Sequence, residues 1–129
     1  MRFGREAFRR LWLTAGVGPT DLVQISFPLG IHPVGSLYAR TAEELGIGTV
    51  WCGAGNSTPS EQQVELIETL KPTVFAGMAS YGLQIAHVAE KMGVNLAASS
   101  VTKFLTAAEP LSSGKRMRIE KMWGAEVYD

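Results

Sequence analysis

Cysteine is nearly absent from this chain: Cys52 is the single cysteine among its 129 residues. A single thiol forms neither an intramolecular disulfide nor a cysteine-based metal cage, which favours a reducing compartment. Lys and Arg together number 12, as do Asp and Glu, so the net charge of zero gives no reason to expect nucleic acid. No apolar run approaches the roughly 20 residues that span a bilayer, and no apolar signal segment follows the N-terminal arginines. These absences predict a cytoplasmic protein without a membrane partner.

Motifs of three common enzyme classes are also missing. No G-x-S-x-G nucleophile elbow follows any candidate strand, which disfavours a serine hydrolase. The segment "GVGPTD" precedes a strand, whereas the G-x-G-x-x-G fingerprint of dinucleotide-binding oxidoreductases joins a strand to a helix. The segment "SSGK" lacks the glycine spacing of a phosphate-binding loop. We therefore predict neither a serine hydrolase nor a dinucleotide-binding oxidoreductase, and we assign no residue as catalytic or as a metal ligand. Cys52 is either a buried sulfur or a weak nucleophile, and His87, in the middle of a helix, is structural or on the surface.

One unit recurs along the chain: an apolar strand, a loop with Gly, Pro or Ser, an amphipathic helix, and a glycine that ends it. Gly46, Gly93 and Gly124 close the helical patterns "AEELG", "AEKMG" and "EKMWG", where glycine adopts the left-handed conformation at low cost. The candidate strands are "DLVQISF", "GTVWC", "PTVFAGM", "KFLTAA" and "AEVYD". Most are continuous apolar runs, which are typical of parallel strands covered on both faces. The sequence predicts a three-layer α/β/α fold with a mostly parallel sheet of about five strands in βα units.

Helix boundaries are predicted from capping residues and from the spacing of apolar side chains. Thr58 is the predicted N-cap of one helix, with Pro59 at its first position. Ser80 is predicted to cap the next helix, over residues 81–92. Two more helices are predicted over roughly 34–45 and 113–123. The side chains predicted to face the core are those of Leu37, Tyr38, Thr41, Leu45, Val64, Ile67, Leu70, Tyr81, Ile85, Val88, Met92, Met117, Ile119 and Met122.

The carboxyl ends of the strands are the predicted ligand-binding edge of the sheet. Open parallel sheets bind ligands there, near the switch point in strand order. Loops at these ends are rich in Gly, Ser, Asn and Pro, although loops that only connect elements have a similar composition. His32 could shuttle a proton or serve in packing. The strand ends are residues 28–32, 53–58, 78–81 and 107–110, and Asp129.

Three stretches of the chain carry a family resemblance: "GAGNSTPSEQQVELIETLKPTVFAGMASYGLQIAHVAEKMGV", "AAEPLSS" and "WGAEVYD". In their order and spacing they resemble the phenylacetate-CoA ligase family of adenylate-forming acyl-CoA synthetases. In that family a G-G-N-T-like turn precedes a helix, a P-S-Y-like segment opens the next one, and G-A-E-P ends a strand. Ala107 stands where the family has the first glycine of G-A-E-P, a departure that would narrow the space for an adenine ring. The matching residues are Gly55, Asn56 and Ser57, then Ala79, Ser80 and Tyr81, then Ala107, Ala108, Glu109 and Pro110.

The resemblance implies roles for the residues at the strand ends. Asp129 would accept a hydrogen bond from the exocyclic amine of adenine, a contact worth about 1.5–3 kcal/mol. Tyr81 would add an aromatic wall for a flat apolar acid, although it is also a candidate core residue. His32 would border the acyl site, since "FPLGIHPVGSLY" resembles the family's P-L-F-H segment with its register shifted by one residue. The adenine would be lined by Ala107, Ala108, Glu109 and Pro110, and the acyl pocket by Ala79, Ser80, Tyr81 and His32.

By the same resemblance, the parent enzyme uses ATP, magnesium and coenzyme A. A carboxylate attacks the α-phosphate of ATP to give an acyl-adenylate, and coenzyme A then releases AMP. Residues 1–129 are expected to form a single α/β segment of the larger N-terminal domain, inactive alone, with a small carboxylic acid and a nucleotide as partners. Two alternatives stay open. One is a free-standing nucleotide- or small-acid-binding module, and the other is an interaction half of a split enzyme that docks a complementary chain or forms a homodimer.

Overall fold

Five parallel strands form a single sheet in the computed structural model, which describes residues 9–10, 12–26, 40–52, 59–106 and 111–128. Their spatial order is β2-β1-β3-β4-β5, and every neighbouring pair is parallel. The predicted three-layer fold with about five parallel strands is therefore confirmed. The strands are β1 (Leu22–Ile25), β2 (Gly48–Trp51), β3 (Val74–Ala76), β4 (Lys103–Leu105) and β5 (Glu126–Tyr128).

Helices cover both faces of this sheet. On one face lie α1 (Ser60–Leu70), α2 (Ala79–Lys91) and α3 (Ser113–Trp123), whose buried side chains form one core cluster with alternate strand residues. We call this side the α1–α3 face. The opposite face is covered by helical residues 12–14 and 40–44, and its cluster contains the other alternate strand residues. Burial on both faces explains why the strands are continuous apolar runs in the sequence. Among the described residues, no helix has both the length and the apolarity to cross a membrane.

Three aromatic rings form the centre of the α1–α3 face. Phe75 of β3 and Phe104 of β4 are neighbours in register, with ring centroids 5.3 Å apart. The Trp123 ring at the end of α3 lies 4.6 Å from Phe75 and 5.4 Å from Phe104. All three side chains are fully buried, so this cluster fixes α3 against the middle of the sheet.

The starts of two helices differ from their predictions. Pro59 is the N-cap of α1 and not its first residue, while Thr58 lies outside the described residues. The prediction for α2 is wrong by two residues, because the helix begins at Ala79 after an N-cap at Met78 that makes no side-chain hydrogen bond. Gly82 N donates to Met78 O at 3.0 Å, so Ser80 lies inside the first turn and is not the N-cap residue. Burial of Ala79 in the core outweighs the capping preference of serine.

Three predicted core side chains of the helices are exposed, while Val64, Ile67, Ile85 and Ile119 are buried as predicted. Leu70 is 45% exposed, Met92 39% and Met117 68%, whereas all three were predicted to face the core. In α1 the buried residues are Gln63, Val64 and Ile67, so the buried side includes a glutamine that the apolar pattern did not indicate. Leu37 and Tyr38 lie outside the described residues. In α2 the buried side is formed by Ala79, Gly82, Leu83, Ile85, Ala86 and Ala89.

Left-handed residues end the helices. Gly46, Gly93 and Gly124 have φ of 73°, 77° and 61°, which confirms the predicted stops. The end of α1 was not marked by glycine in the sequence. There Lys71 adopts the left-handed conformation at φ 52°, and Pro72 follows it and cannot continue the helix.

Candidate functional site

The strand order reverses between β1 and β3, so the switch point of the sheet lies where these two strands end. From β1 the chain passes to β2 on one side, then returns to β3 on the other. Backbone pairing continues for one residue past the strands: Ser26 N donates to Ala76 O at 2.7 Å, Cys52 N to Ile25 O at 2.9 Å and Gly77 N to Leu105 O at 3.0 Å. These residues form the carboxyl edge of the sheet, the place where open parallel sheets bind ligands. In spatial order the edge runs Cys52, Ser26, Gly77 and Thr106.

A chain of buried hydrogen bonds spans the switch point on the α1–α3 face. Ser26 Oγ donates to Gln63 Oε1 at 2.6 Å, and Gln63 Nε2 donates to the Tyr81 hydroxyl at 2.8 Å. We call this the Ser26–Gln63–Tyr81 network. The Tyr81 hydroxyl also lies 3.1 Å from Ser60 Oγ. The network links the end of β1 to the first turns of α1 and α2, so it places polar groups of three elements at one point of the edge.

Tyr81 is the predicted site residue that the structure places at this point. It is half-buried, and burial is the main cause that raises the pKa of its phenol; the Ser60 hydrogen bond lowers that pKa, while the proximity of Cys52 and Glu61 raises it. A phenol with a raised pKa stays neutral near pH 7 and acts as a hydrogen-bonding group, not as a base. Its neighbours differ in exposure, because Ala79 is fully buried and Ser80 is exposed.

Cys52 and Thr106 are buried polar groups of the same edge. The Cys52 thiol is free, and burial raises its pKa to about 11, so little thiolate forms near neutral pH. This favours the buried-sulfur interpretation over the weak nucleophile. The Thr106 hydroxyl is fully buried, and it has no hydrogen-bond partner in the part of the chain that the structure describes. An unpaired buried hydroxyl is uncommon in native folds.

Several predicted site residues lie outside the described residues, and their roles stay predictions. The described strand ends that precede two of these predicted groups are neighbours, because Thr106 N after β4 donates to Tyr128 O at the end of β5, at 2.9 Å. His87 is exposed on α2, in agreement with a surface position. The predicted residues outside the description are His32, Ala107, Ala108, Glu109, Pro110 and Asp129.

Sequence reasoning missed Ser26, Gln63 and Thr106. A signal for Gln63 exists, since it lies four residues before the buried Ile67 and therefore shares its side of α1. Ser26 comes two residues after Gln24, so the two side chains lie on the same face of the sheet. For magnesium, the described ranges contain no group of three or more His, Cys, Asp or Glu residues that could hold an ion, so we assign no step to that metal.

The chain is similar to several CoA ligases, although no protein-family model matches it. The phenylacetate-coenzyme A ligase of Aromatoleum evansii is 28% identical over 109 residues, which are 84% of this chain and 24% of that protein. The phenylacetate-coenzyme A ligase of Pseudomonas putida is 28% identical over 115 residues, which are 89% of this chain and 26% of that protein.

A solved structure gives a three-dimensional match. The crystal structure of 2-hydroxyisobutyryl-CoA ligase in complex with 2-HIB-AMP and CoA is 30% identical, with a TM-score of 0.90 over 98% of this chain and 27% of that one. The chain thus spans about a quarter of the length of each of these relatives. It is similar to an internal segment of phenylacetate-CoA ligases and of a 2-hydroxyisobutyryl-CoA ligase, in agreement with the resemblance that its sequence motifs indicated.

Proposed function

We propose that this chain forms part of the substrate-binding region of an AMP-forming acid–CoA ligase and is inactive alone. Residues 1–129 would be one α/β segment of a larger N-terminal domain. The observation that carries the proposal is the Ser26–Gln63–Tyr81 network at the switch point of a sheet that matches, with a TM-score of 0.90, a CoA ligase crystallised with an acyl-AMP and CoA. A small carboxylic acid and a nucleotide would bind at the carboxyl edge.

Tyr81 would form one wall of the acyl pocket. Its ring offers an apolar surface and its hydroxyl a polar tip, a combination suited to an aromatic or other flat acid. Ser80 is exposed beside it and could contact the same ligand, whereas the fully buried Ala79 would shape the pocket from behind. His32 is proposed at the border of this pocket because of its family resemblance.

The segment 107–110 and Asp129 would together hold the adenine. They follow β4 and β5, whose ends are joined by the Thr106 N to Tyr128 O hydrogen bond at 2.9 Å. Two segments that leave adjacent strands can line opposite sides of one flat ring. Asp129 would then accept a hydrogen bond from the exocyclic amine, worth about 1.5–3 kcal/mol.

The chain would supply pocket walls and not the reacting groups. ATP would provide the adenylate, and coenzyme A the thiol that releases AMP. Within the described ranges, Tyr81 remains a neutral phenol and the raised pKa of Cys52 suppresses its thiolate. Neither side chain would act as a nucleophile or a general base during adenylation. Phosphate and metal contacts would come from other parts of the parent enzyme, so the affinity of this segment for nucleotides would be weak.

Calorimetric titration of the 129-residue chain with AMP, ATP and phenylacetate tests this proposal. We expect weak heats for AMP that disappear with Asp129→Ala. Glu126→Ala is the matched control, since it removes an exposed carboxylate three residues earlier in the chain and should leave the heats unchanged. A folded chain that gives no heat with any of the three ligands would contradict the pocket. Release of AMP with coenzyme A at a rate comparable to that of whole ligases would contradict the proposed inactivity.

A second candidate function is an interaction segment. Within the described sheet, β2 and β5 are the outermost strands, and a strand edge without a neighbour is a template for pairing with another chain. A complementary chain or a second copy would then complete the structure. Light scattering over a range of concentrations distinguishes this candidate, because a chain that is monomeric throughout does not pair with itself through either edge.

A further inference from the structure

Gln63 is an unusual residue for the buried side of α1. It is completely inaccessible to solvent, and it lies over the end of β1, where its backbone oxygen accepts a hydrogen bond from Gln24 Nε2 at 3.3 Å. A buried primary amide is costly unless both its oxygen and its nitrogen have partners. Ser26 and Tyr81 provide those partners, so the position of this glutamine serves the network and not the apolar core.

The two partners fix which way the amide points. The separation of 2.6 Å between Ser26 Oγ and Gln63 Oε1 is typical of a hydroxyl that donates to an oxygen and short for a bond from nitrogen. The amide nitrogen therefore faces Tyr81, at 2.8 Å from the hydroxyl. An amide N–H can only donate, so the phenol oxygen accepts there. The proton of the Tyr81 hydroxyl is therefore available for a different acceptor.

We infer that Gln63, oriented by Ser26, is a positioning residue that holds Tyr81 as a hydrogen-bond donor, directed at an acceptor oxygen of a small carboxylic acid. In the free chain, Ser60 Oγ lies 3.1 Å from the phenol and can share its proton. Ser60 is only partly buried, so a carboxylate could approach and replace it with a stronger, charge-assisted bond. The donor role of Tyr81 follows from the network, whereas the acid as its target rests on the proposed function.

The substitution Gln63→Glu tests the direction of this hydrogen bond. A carboxylate of the same shape accepts from both sides, so Tyr81 would have to turn its proton toward residue 63 and away from the ligand. Gln62→Glu is the matched control: it makes the same change one residue away, on the exposed side of α1. The ¹³C resonance of the Tyr81 ring carbon that bears the oxygen, assigned with Tyr81→Phe, reports whether the phenol donates or accepts.

We expect this resonance to move downfield in Gln63→Glu and to stay in place in Gln62→Glu. Phenylacetate should bind Gln63→Glu about 10- to 100-fold more weakly than it binds the unmodified chain, the loss expected for one hydrogen bond to a charged group. An unmoved resonance in a folded Gln63→Glu variant would overturn the inference. So would a moved resonance with unchanged phenylacetate affinity, because the acid would not then be the acceptor.

Failure of the proposed function has a different signature. If no variant binds phenylacetate but the Tyr81 resonance still moves in Gln63→Glu alone, the positioning role stands and the acid-binding proposal fails. Where Gln63→Glu does not fold, Ser26→Ala replaces it, since loss of the serine donor frees the amide to reverse. The resonance must then move part of the way downfield; no movement in Ser26→Ala would overturn the inference.

Discussion

The indole Nε1 of Trp123 donates to the carbonyl oxygen of Gly82 at 3.0 Å. This bond ties the end of α3 to the first turn of α2. At the same place the absent side chain of Gly82 makes room for the Phe104 ring, because a Cβ atom built there would overlap ring atoms. Gly82 thus lets the backbone of α2, the Phe104 ring and the Trp123 indole pack closely together.

Gly82→Ala should destabilise the fold. The added methyl overlaps a ring that is fully buried and has nowhere to move, so overpacking of about 1–3 kcal/mol or more is expected in spite of the better helix propensity of alanine. Gly114→Ala is the matched control, since Gly114 is also helical and a Cβ there meets nothing within 4 Å. Urea unfolding should show Gly114→Ala to be more stable than the unmodified chain by about 0.5–1 kcal/mol. Equal stabilities for the two variants would show that the close packing at Gly82 is wrong.

Local signals in the sequence were sufficient to predict the fold. Gly46, Gly93 and Gly124 marked helix ends because a left-handed residue favours glycine on steric grounds. Continuous apolar runs identified strands buried on both faces. Both signals act within a few residues, so they needed no knowledge of tertiary contacts.

The site was less accessible to sequence reasoning. Tyr81 was predicted, but its partners Gln63 and Ser26 were not. The residue type of a glutamine or serine does not reveal whether its side chain is buried or exposed. In α1, Val64 and Ile67 are buried as predicted, whereas Leu70 at the end of the helix is 45% exposed. The roles of His32 and Asp129, which lie outside the described residues, remain predictions.

Thr106→Val should leave the free energy of unfolding unchanged or raise it. The hydroxyl of Thr106 is buried without a partner among the described residues, so its replacement by a methyl group removes an uncompensated polar atom. Thr73→Val is the contrasting variant, because Thr73 Oγ1 donates to Asp21 Oδ1 at 2.7 Å and accepts from Leu22 N at 3.2 Å. It should lose about 1–3 kcal/mol. Thermal and urea unfolding compare the two, and a clear loss for Thr106→Val would reveal a partner for its hydroxyl.

The Cys52 thiol should resist alkylation and should make the fold sensitive to alkaline pH. Burial raises its pKa from 9.0 to about 11, so at a given pH the folded protein holds about 100-fold less thiolate than an ordinary thiol, and reaction with iodoacetamide slows at least in that proportion. Because the folded pKa is the higher one, the thiol's stabilising effect is complete below pH 9 and is lost as pH rises toward 11.

Cys52→Ala tests the second effect, since it should flatten the decline in stability between pH 9 and 11. Iodoacetamide should react rapidly once the chain is unfolded in urea, which controls for the reagent. Rapid alkylation of the folded chain at pH 7.5 would contradict the buried thiol.

Tyr81→Phe should destabilise the chain more than Tyr128→Phe does. Loss of the Tyr81 hydroxyl removes its 2.8 Å hydrogen bond with Nε2 of the fully buried Gln63, and the loss of such a bond costs about 0.5–1.5 kcal/mol. Tyr128 donates to Glu126 Oε2 at 2.8 Å on the surface, where water replaces the lost bond, so Tyr128→Phe should change stability little. Urea unfolding of the two variants measures the difference. If both were equally stable, the Ser26–Gln63–Tyr81 network would contribute nothing to the fold, and Tyr81 would be free to turn its hydroxyl in either direction at the carboxyl edge.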